Sequence, residues 1–81
     1  MVDSEMLSLL ETFISGTDIS MKLANKLEVL IDDAFPEDDF LQETVEVLAC
    51  YRPEGGSGVL GPEIVRQRLA ETKAYLLHRD H

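Results

Sequence analysis

The sequence predicts an all-α protein, a compact antiparallel up-down four-helix bundle built by a single domain over residues 1–81. Three observations lead to this fold class. Apolar residues recur at spacings of three and four in four separate segments, which is the pattern of amphipathic helices. No segment alternates apolar and polar residues over a useful length, so no strand is expected. The connections between the segments are short, which favours antiparallel neighbours.

The first helix is expected over about 4–15. Asp3 or Ser4 can cap its start by accepting a backbone N–H. Gly16 is a natural end point, because glycine adopts a positive φ without steric cost. The apolar stripe of this helix consists of Met6, Leu7, Leu10, Phe13 and Ile14.

The second helix is expected over about 18–34, with Thr17 or Asp18 as its N-cap. It carries the strongest periodic signal in the chain. Phe35 and Pro36 end it, since proline disfavours the helical conformation of the residue before it. Its apolar stripe consists of Ile19, Leu23, Leu27, Leu30, Ile31 and Ala34.

The third helix is expected over about 37–51, ending before Pro53. Glu37, Asp38 and Asp39 would lie in its first turn, where the positive end of the helix dipole stabilises each by a few tenths to about 1 kcal/mol. Its apolar face consists of Phe40, Leu41, Val45, Val47, Leu48 and Tyr51.

The fourth helix is expected over about 62–78, after a flexible loop at 54–61 that holds four glycines. Pro62 suits the first position of a helix, where its missing N–H is not needed. The inner stripe and its flanking residues are Ile64, Val65, Leu69, Thr72, Tyr75 and Leu76.

The composition is that of a globular acidic protein, with 44% hydrophobic and 28% charged residues and a net charge of -9. This charge disfavours nonspecific binding to nucleic acid or to an anionic membrane surface, and it favours a basic partner. Cys50 is the single cysteine, so no internal disulfide can form. The N-terminus lacks the basic start of a signal peptide, and a cytoplasmic location is therefore expected.

The acidic residues are concentrated in one interval. Between Lys26 and Arg52 the chain carries eight of its 16 carboxylates and no Lys or Arg. Crowding like charges costs a small domain some stability, and a basic partner is one reason to accept that cost. The alternative is a solvated surface that keeps the protein soluble. The predicted partner-binding residues are Glu28, Asp32, Asp33, Glu37, Asp38, Asp39, Glu43 and Glu46.

Helical spacing places part of this charge on outer faces. Asp39, Glu43 and Glu46 follow i, i+4, i+7 spacing opposite the apolar face of the third helix, and Cys50 continues their line. Glu28 and Asp32 follow i, i+4 spacing opposite the core on the second helix. Like charges at this spacing destabilise an isolated helix by roughly 0.2–0.5 kcal/mol per pair.

An enzymatic activity, a cofactor and a resident metal ion are not expected. Cys50 has no nearby histidine in sequence to activate it. Ala34 and Pro36 break the alternating register that a calcium loop needs, and the loop glycine is missing. A weak divalent-cation site among the acids remains the alternative.

An acidic four-helix domain of this length resembles the acyl carrier proteins, which attach a phosphopantetheine arm to the serine of an Asp-Ser-Leu motif at the start of their second helix. The nearest text here is Asp18-Ile19-Ser20-Met21, in which one residue separates the acid from the serine. The resemblance would make Ser20 the attachment site. The family also has a long first loop, whereas the sequence predicts a tight turn at Gly16-Thr17.

The chain also resembles the small immunity proteins of bacteriocin systems, especially the colicin D immunity type. The resemblance lies in residues 9–20 (LLETFISGTDIS), in the acidic stretch from Asp32 to Glu46, and in residues 63–77 (EIVRQRLAETKAYLL). It covers about 5–77 as a pattern of helices and charge. It implies a non-catalytic bacterial inhibitor whose acids cover the basic active site of a nuclease toxin in place of nucleic-acid phosphates.

A third class is a helical adaptor or homodimerisation module. Leu9, Met21, Val29 and Leu77 fall off the best apolar stripes of their helices. Scattered exposed apolar residues are normal, but a cluster of them would mark a partner surface.

Overall fold

A computed structural model describes residues 4–79, and within them the all-α four-helix bundle is confirmed. The helices are α1 (Ser4–Ile14), α2 (Met21–Ala34), α3 (Asp39–Ala49) and α4 (Pro62–Arg79). Ser4, one of the two proposed caps of the first helix, is the first residue of α1. Asp3, the other proposed cap, lies outside the described residues. None of the four helices is both long enough and apolar enough to cross a membrane.

The helices are arranged in a ring, in which α2 packs on α1 and α3, and α4 packs on α1 and α3. Contacts at the helix ends show that neighbours run antiparallel. Phe40 at the start of α3 stacks on Tyr75 near the end of α4, with ring centroids 4.4 Å apart. Arg66 near the start of α4 donates to the carbonyl of Ile14 at the end of α1, at 2.9 Å.

The core lies between the four apolar stripes. Tyr51 is fully buried just beyond α3, where its ring meets Phe13 edge-on with centroids 5.3 Å apart. Its hydroxyl donates to the carbonyl of Ile19 at 2.5 Å, so its one polar atom is satisfied. The buried hydrophobic residues are Met6, Leu10, Phe13, Leu23, Ala24, Leu27, Ile31, Leu41, Leu48, Tyr51, Val65, Leu69 and Leu76.

The start of α2 differs from the prediction, because Ser20 and neither Thr17 nor Asp18 is the N-cap. The Ser20 hydroxyl accepts the N–H of Leu23 at 3.2 Å. Asp18 instead accepts the backbone N–H of Ser20 at 2.9 Å, a local bond that competes with helix formation. The connection between α1 and α2 therefore extends over 15–20 and includes Ile19, where a tight turn was expected.

Helix α3 is shorter than expected at both ends. Its N-cap is Asp38, whose carboxylate accepts the N–H of Leu41 at 3.0 Å. Glu37 and Asp38 consequently lie before the first turn, and among the three expected acids Asp39 alone occupies it. At the other end Tyr51 leaves the helix and pairs with Leu60 in an isolated bridge.

The glycine-rich connection between α3 and α4 is closed at its base. The backbone N–H of Arg52 donates to the carbonyl of Leu60, and the N–H of Leu60 donates to the carbonyl of Cys50, both at 3.0 Å. Helix α4 then starts at Pro62 as predicted and ends at Arg79, one residue beyond the expected end.

Candidate functional site

Three acidic residues line the exposed side of α3, and we call them the α3 stripe: Asp39, Glu43 and Glu46. Leu41 and Leu48 on the opposite side of the same helix are fully buried. The helical spacing therefore separates charge from core as the sequence predicts. Cys50 follows the stripe at the C-cap and is also exposed.

The acids of α2 lie on the helix that packs against α3. Asp32 and Asp33 are exposed, whereas Glu28 is half-buried and so is less open to solvent than its helical spacing suggests. Glu37 is exposed in the connection between the two helices. The structure thus gathers the predicted acids on two neighbouring helices and on the segment that joins them.

Asp38 differs from the other predicted acids because its carboxylate is held within the chain. Its Oδ2 accepts hydrogen bonds from the Tyr75 hydroxyl and from Arg79 Nη1, both at 2.6 Å. Its Oδ1 accepts the N–H of Leu41, and the side chain is only 15% exposed. The sequence places Asp38 in the first turn of the third helix, but no local signal identifies partners that lie about forty residues away.

These contacts shift the acidity of Asp38. Partial burial raises the pKa of this carboxyl, but the hydrogen bonds from Tyr75 and Leu41 and the charge of Arg79 lower it by more. The pKa of Asp38 therefore lies below its ordinary value, and the carboxylate is ionised at neutral pH. The pKa of the Tyr75 phenol is raised, mainly because it donates its proton to this carboxylate.

The positive side chains are mostly committed to contacts inside the molecule. Arg68 donates to the carbonyl of Phe40 at 2.8 Å and to Thr44 Oγ1 at 3.1 Å, and it lies 3.7 Å from Glu43. Lys73 pairs with Glu11. Of the seven Lys and Arg residues, the five that donate to other groups of the chain are Arg52, Arg66, Arg68, Lys73 and Arg79.

In contrast to the cations, most of the predicted acids have no partner among the described residues. Asp38 and Glu43 each have an arginine within 4.0 Å. The other predicted acids make no hydrogen bond or ion pair with any residue in the described range 4–79. We call these six the unpaired acids: Glu28, Asp32, Asp33, Glu37, Asp39 and Glu46.

An open cavity of about 330 Å³ lies where α2 turns into α3, and we call it the corner pocket. Arg79 reaches it from the end of α4, with its Cζ 4.8 Å above the centroid of the Phe35 ring. No local pattern in the sequence indicates this cavity, because its arginine joins it only through the tertiary fold. The residues that line it are Ala34, Phe35, Pro36, Glu37, Asp38 and Arg79.

Two other candidate sites from the sequence are a metal site and the proposed attachment serine, Ser20. No group of three His, Cys, Asp or Glu side chains among residues 4–79 is arranged to hold a metal ion. Ser20 is exposed at the start of α2, but its hydroxyl accepts the N–H of Leu23 as the helix cap.

The exposed apolar residues do not form a single face. Leu9 and Met21 are partly buried against the core. Val29 on α2 is 65% exposed, while Ile64 and Leu77 on α4 are 56% and 43% exposed. The backbones of α2 and α4 lie diagonally across the bundle and do not pack directly on each other. Ile64 and Leu77 themselves lie about 140° apart around the axis of α4, at 100° per residue.

Comparison of the chain with protein-family models, with curated proteins and with solved structures finds no match. The function must therefore be inferred from the chain's own geometry. That geometry is an acidic surface on α2, α3 and their connection, with most of its carboxylates unneutralised.

Proposed function

We propose that this protein is a non-catalytic, acidic binding protein of the immunity type, which inhibits a basic toxin domain of the nuclease class by covering its active surface. The observation that carries the proposal is the contrast between the six unpaired acids and the internally engaged cations. On this proposal the protein acts in the bacterial cytoplasm, where the toxin would otherwise reach nucleic acid.

The contrast supports a basic partner because it leaves the acidic surface without internal compensation. Arg68 and Arg79 each meet one acid, and the charge of the unpaired acids remains available to an incoming protein. Such a surface attracts a positively charged domain over a distance, which raises association rates by about 10–10³-fold at low salt. A nuclease active site is suitably positive, because it binds phosphates.

The shape of the surface supports binding over catalysis. The α3 stripe lies on the convex side of a helix whose other side is core, so it does not enclose a substrate. Its carboxylates can form charge-assisted hydrogen bonds with Lys and Arg side chains of a partner. An inhibitor needs only to bind its partner through such hydrogen bonds, because it acts by excluding the nucleic acid from the partner's active surface.

The homodimer or adaptor alternative has less support. Val29 is separated from Ile64 and Leu77 by the diagonal of the bundle, so these side chains offer no continuous apolar patch. The acyl-carrier alternative rests on the exposure of Ser20 at the start of α2. A mass increase of Ser20 on treatment with a phosphopantetheinyl transferase and coenzyme A would favour it.

The test is a charge-neutralising variant of the α3 stripe, Asp39→Asn/Glu43→Gln/Glu46→Gln, measured with a basic nuclease-like domain encoded by a neighbouring gene. We expect association at low salt to slow by about tenfold or more, with steep salt dependence lost. Stopped-flow fluorescence measures the rate, and circular dichroism checks the fold.

A matched control removes the same number of charges elsewhere. Glu54→Gln/Glu63→Gln/Glu71→Gln neutralises three exposed acids outside the predicted surface. The control should slow association much less than the stripe variant. Equal slowing by both variants would mean that net charge alone, and no particular face, attracts the partner.

A further inference from the structure

The corner pocket combines the chemical groups that recognise a guanidinium ion. Asp38 and Glu37 supply carboxylates, and Phe35 supplies an aromatic face. Carboxylates form strong charge-assisted hydrogen bonds with arginine, and aromatic rings attract its planar cation. The pocket is open to solvent beside these groups, so a side chain from another molecule can reach them.

The protein itself demonstrates this recognition with Arg79. The guanidinium donates to Asp38 Oδ2 at 2.6 Å, and its Cζ lies 4.8 Å from the Phe35 ring centroid and 5.9 Å from that of Tyr75. Of these contacts, Asp38 and Phe35 line the corner pocket, and they would meet any other arginine that entered from solvent.

Arg79 holds this position through few contacts. Its side chain is 41% exposed and lies in the last turn of α4, and among residues 4–79 it donates to one carboxylate oxygen. Although Asp38 is mostly buried, the guanidinium end of this ion pair is exposed, so solvent screens the pair and Arg79 is readily exchanged. Glu37, on the pocket wall, is exposed and unpaired.

We propose that the corner pocket is an arginine-binding site for the basic partner, and that Arg79 occupies its cation position until the partner's arginine displaces it. The inference rests on the proposed function for the identity of the partner, but the pocket chemistry can be tested without that partner. Arginine should be preferred to lysine, because only the planar guanidinium can stack on Phe35 while donating in parallel to a carboxylate.

The probe is N-acetylargininamide, titrated into the ¹⁵N-labelled full chain and followed by NMR. We expect the backbone amide signals of Ala34, Phe35, Glu37 and Asp38 to shift. In the Arg79→Ala variant the dissociation constant should fall by about two- to fivefold, which is the factor by which an exposed ion pair competes. N-acetyllysinamide should bind more weakly in both proteins.

The control is Asp38→Asn/Arg79→Ala, which keeps an oxygen to cap α3 but removes the carboxylate charge. This variant should lose most of the response to the arginine probe, and Glu37→Gln/Arg79→Ala, which leaves the cap untouched, should lose part of it. Equal affinity of the wild type and Arg79→Ala for the probe, or no shift at residues 34–38, would overturn the inference.

The outcomes separate this inference from the proposed function. If the α3 stripe variant slows association but Arg79→Ala leaves probe binding unchanged, the immunity-type proposal stands and the pocket inference fails. If the probe binds as expected but the α3 stripe variant and its control variant associate with the partner at the same rate, the arginine-binding inference stands. The proposal that the α3 stripe attracts the partner then fails.

Discussion

Asp38 joins the start of α3 to the end of α4 through one carboxylate. One oxygen caps α3 through the N–H of Leu41, and the other accepts hydrogen bonds from Tyr75 and Arg79 of α4. Its pKa in the folded protein lies below the ordinary value of 3.8. A lowered folded-state pKa means that the ionised form stabilises the fold above the unfolded pKa, and that this stabilisation is lost as the pH falls through the folded pKa.

We predict that Asp38→Asn lowers the free energy of unfolding at pH 7 by about 0.5–1.5 kcal/mol, because the cap oxygen remains but the charge pair and the favourable helix-dipole contact are lost. The difference from the wild type should begin to shrink below about pH 4, where the unfolded chain takes up this proton, and should be lost once the pH falls below the lowered pKa of Asp38 in the folded protein. Urea unfolding followed by circular dichroism at pH 7 and pH 3 measures both effects.

Asp33→Asn is the control for this prediction. Asp33 is exposed near the end of α2 and makes no hydrogen bond or ion pair among residues 4–79. Its removal should leave stability unchanged or raise it slightly, since a negative charge near a helix C-terminus is unfavourable. If Asp33→Asn lowered the free energy of unfolding as much as Asp38→Asn does, the loss of one negative charge would explain both results, and the contacts of Asp38 would not be needed.

At the scale of the elements, the end of α1 is satisfied by a contact from another helix. The carbonyl of Ile14, in the last turn of α1, accepts Arg66 Nε at 2.9 Å. The same guanidinium lies 3.6 Å from where a β-carbon on Gly16 would be, and Gly16 has a φ of +82°. The end of α1 is thus shaped by its own glycine and by a residue of α4.

We predict that Arg66→Ala lowers the free energy of unfolding by about 0.5–1.5 kcal/mol through loss of this hydrogen bond. Gln67→Ala is the matched control, because Gln67 is the exposed neighbour and makes no hydrogen bond with the described residues. Chemical denaturation measures both variants. Equal destabilisation would show that the contact to Ile14 contributes nothing.

The helix limits show what the sequence can and cannot predict at this scale. Pro62 and Gly16 act through their own backbone preferences, so the start of α4 and the end of α1 were predicted to within a residue. Thr17, Asp18 and Ser20 are all good N-caps, and local pattern does not rank them. The structure selects Ser20 because Tyr51, from beyond α3, takes the carbonyl of Ile19 into a hydrogen bond.

At the scale of the whole molecule, the net charge of -9 opposes the compact state. The cations that could compensate are concentrated on α4, where Arg66, Arg68 and Lys73 make internal contacts. The repulsion among the unpaired acids of α2 and α3 is therefore relieved chiefly by solvent and dissolved ions.

We predict that raising NaCl from about 10 mM to about 0.3 M increases the free energy of unfolding, because salt screens this repulsion more than it weakens the few ion pairs. Thermal unfolding measures the trend. Glu28→Gln/Asp32→Asn should be more stable at low salt and respond less to added salt. A stability that falls with salt would show that the ion pairs outweigh the repulsion.

The sequence predicts the bundle well and the candidate surface in part. Apolar spacing is a local property, so the buried positions of Leu27, Ile31 and Leu48 follow from it directly. The exposure of the α3 stripe follows from the same periodicity. The engagement of Asp38 and the corner pocket depend on how the end of α4 packs near the start of α3, and the half-burial of Glu28 depends on how α2 packs against its own neighbours. No local pattern encodes either kind of packing.

The backbone hydrogen bond between Arg52 and Leu60 closes the base of the glycine-rich connection and so determines where the chain can vary. The hydrogen bonds between the two ends of this connection fix where α3 stops and α4 starts. Changes in the length or sequence of the segment 53–59 should therefore affect the bundle little. Loop-closure entropy also grows slowly with loop length. This hydrogen-bonded base makes the glycine segment the natural site for insertions or circular permutation, and the place where related chains can differ in length while keeping the same helical frame.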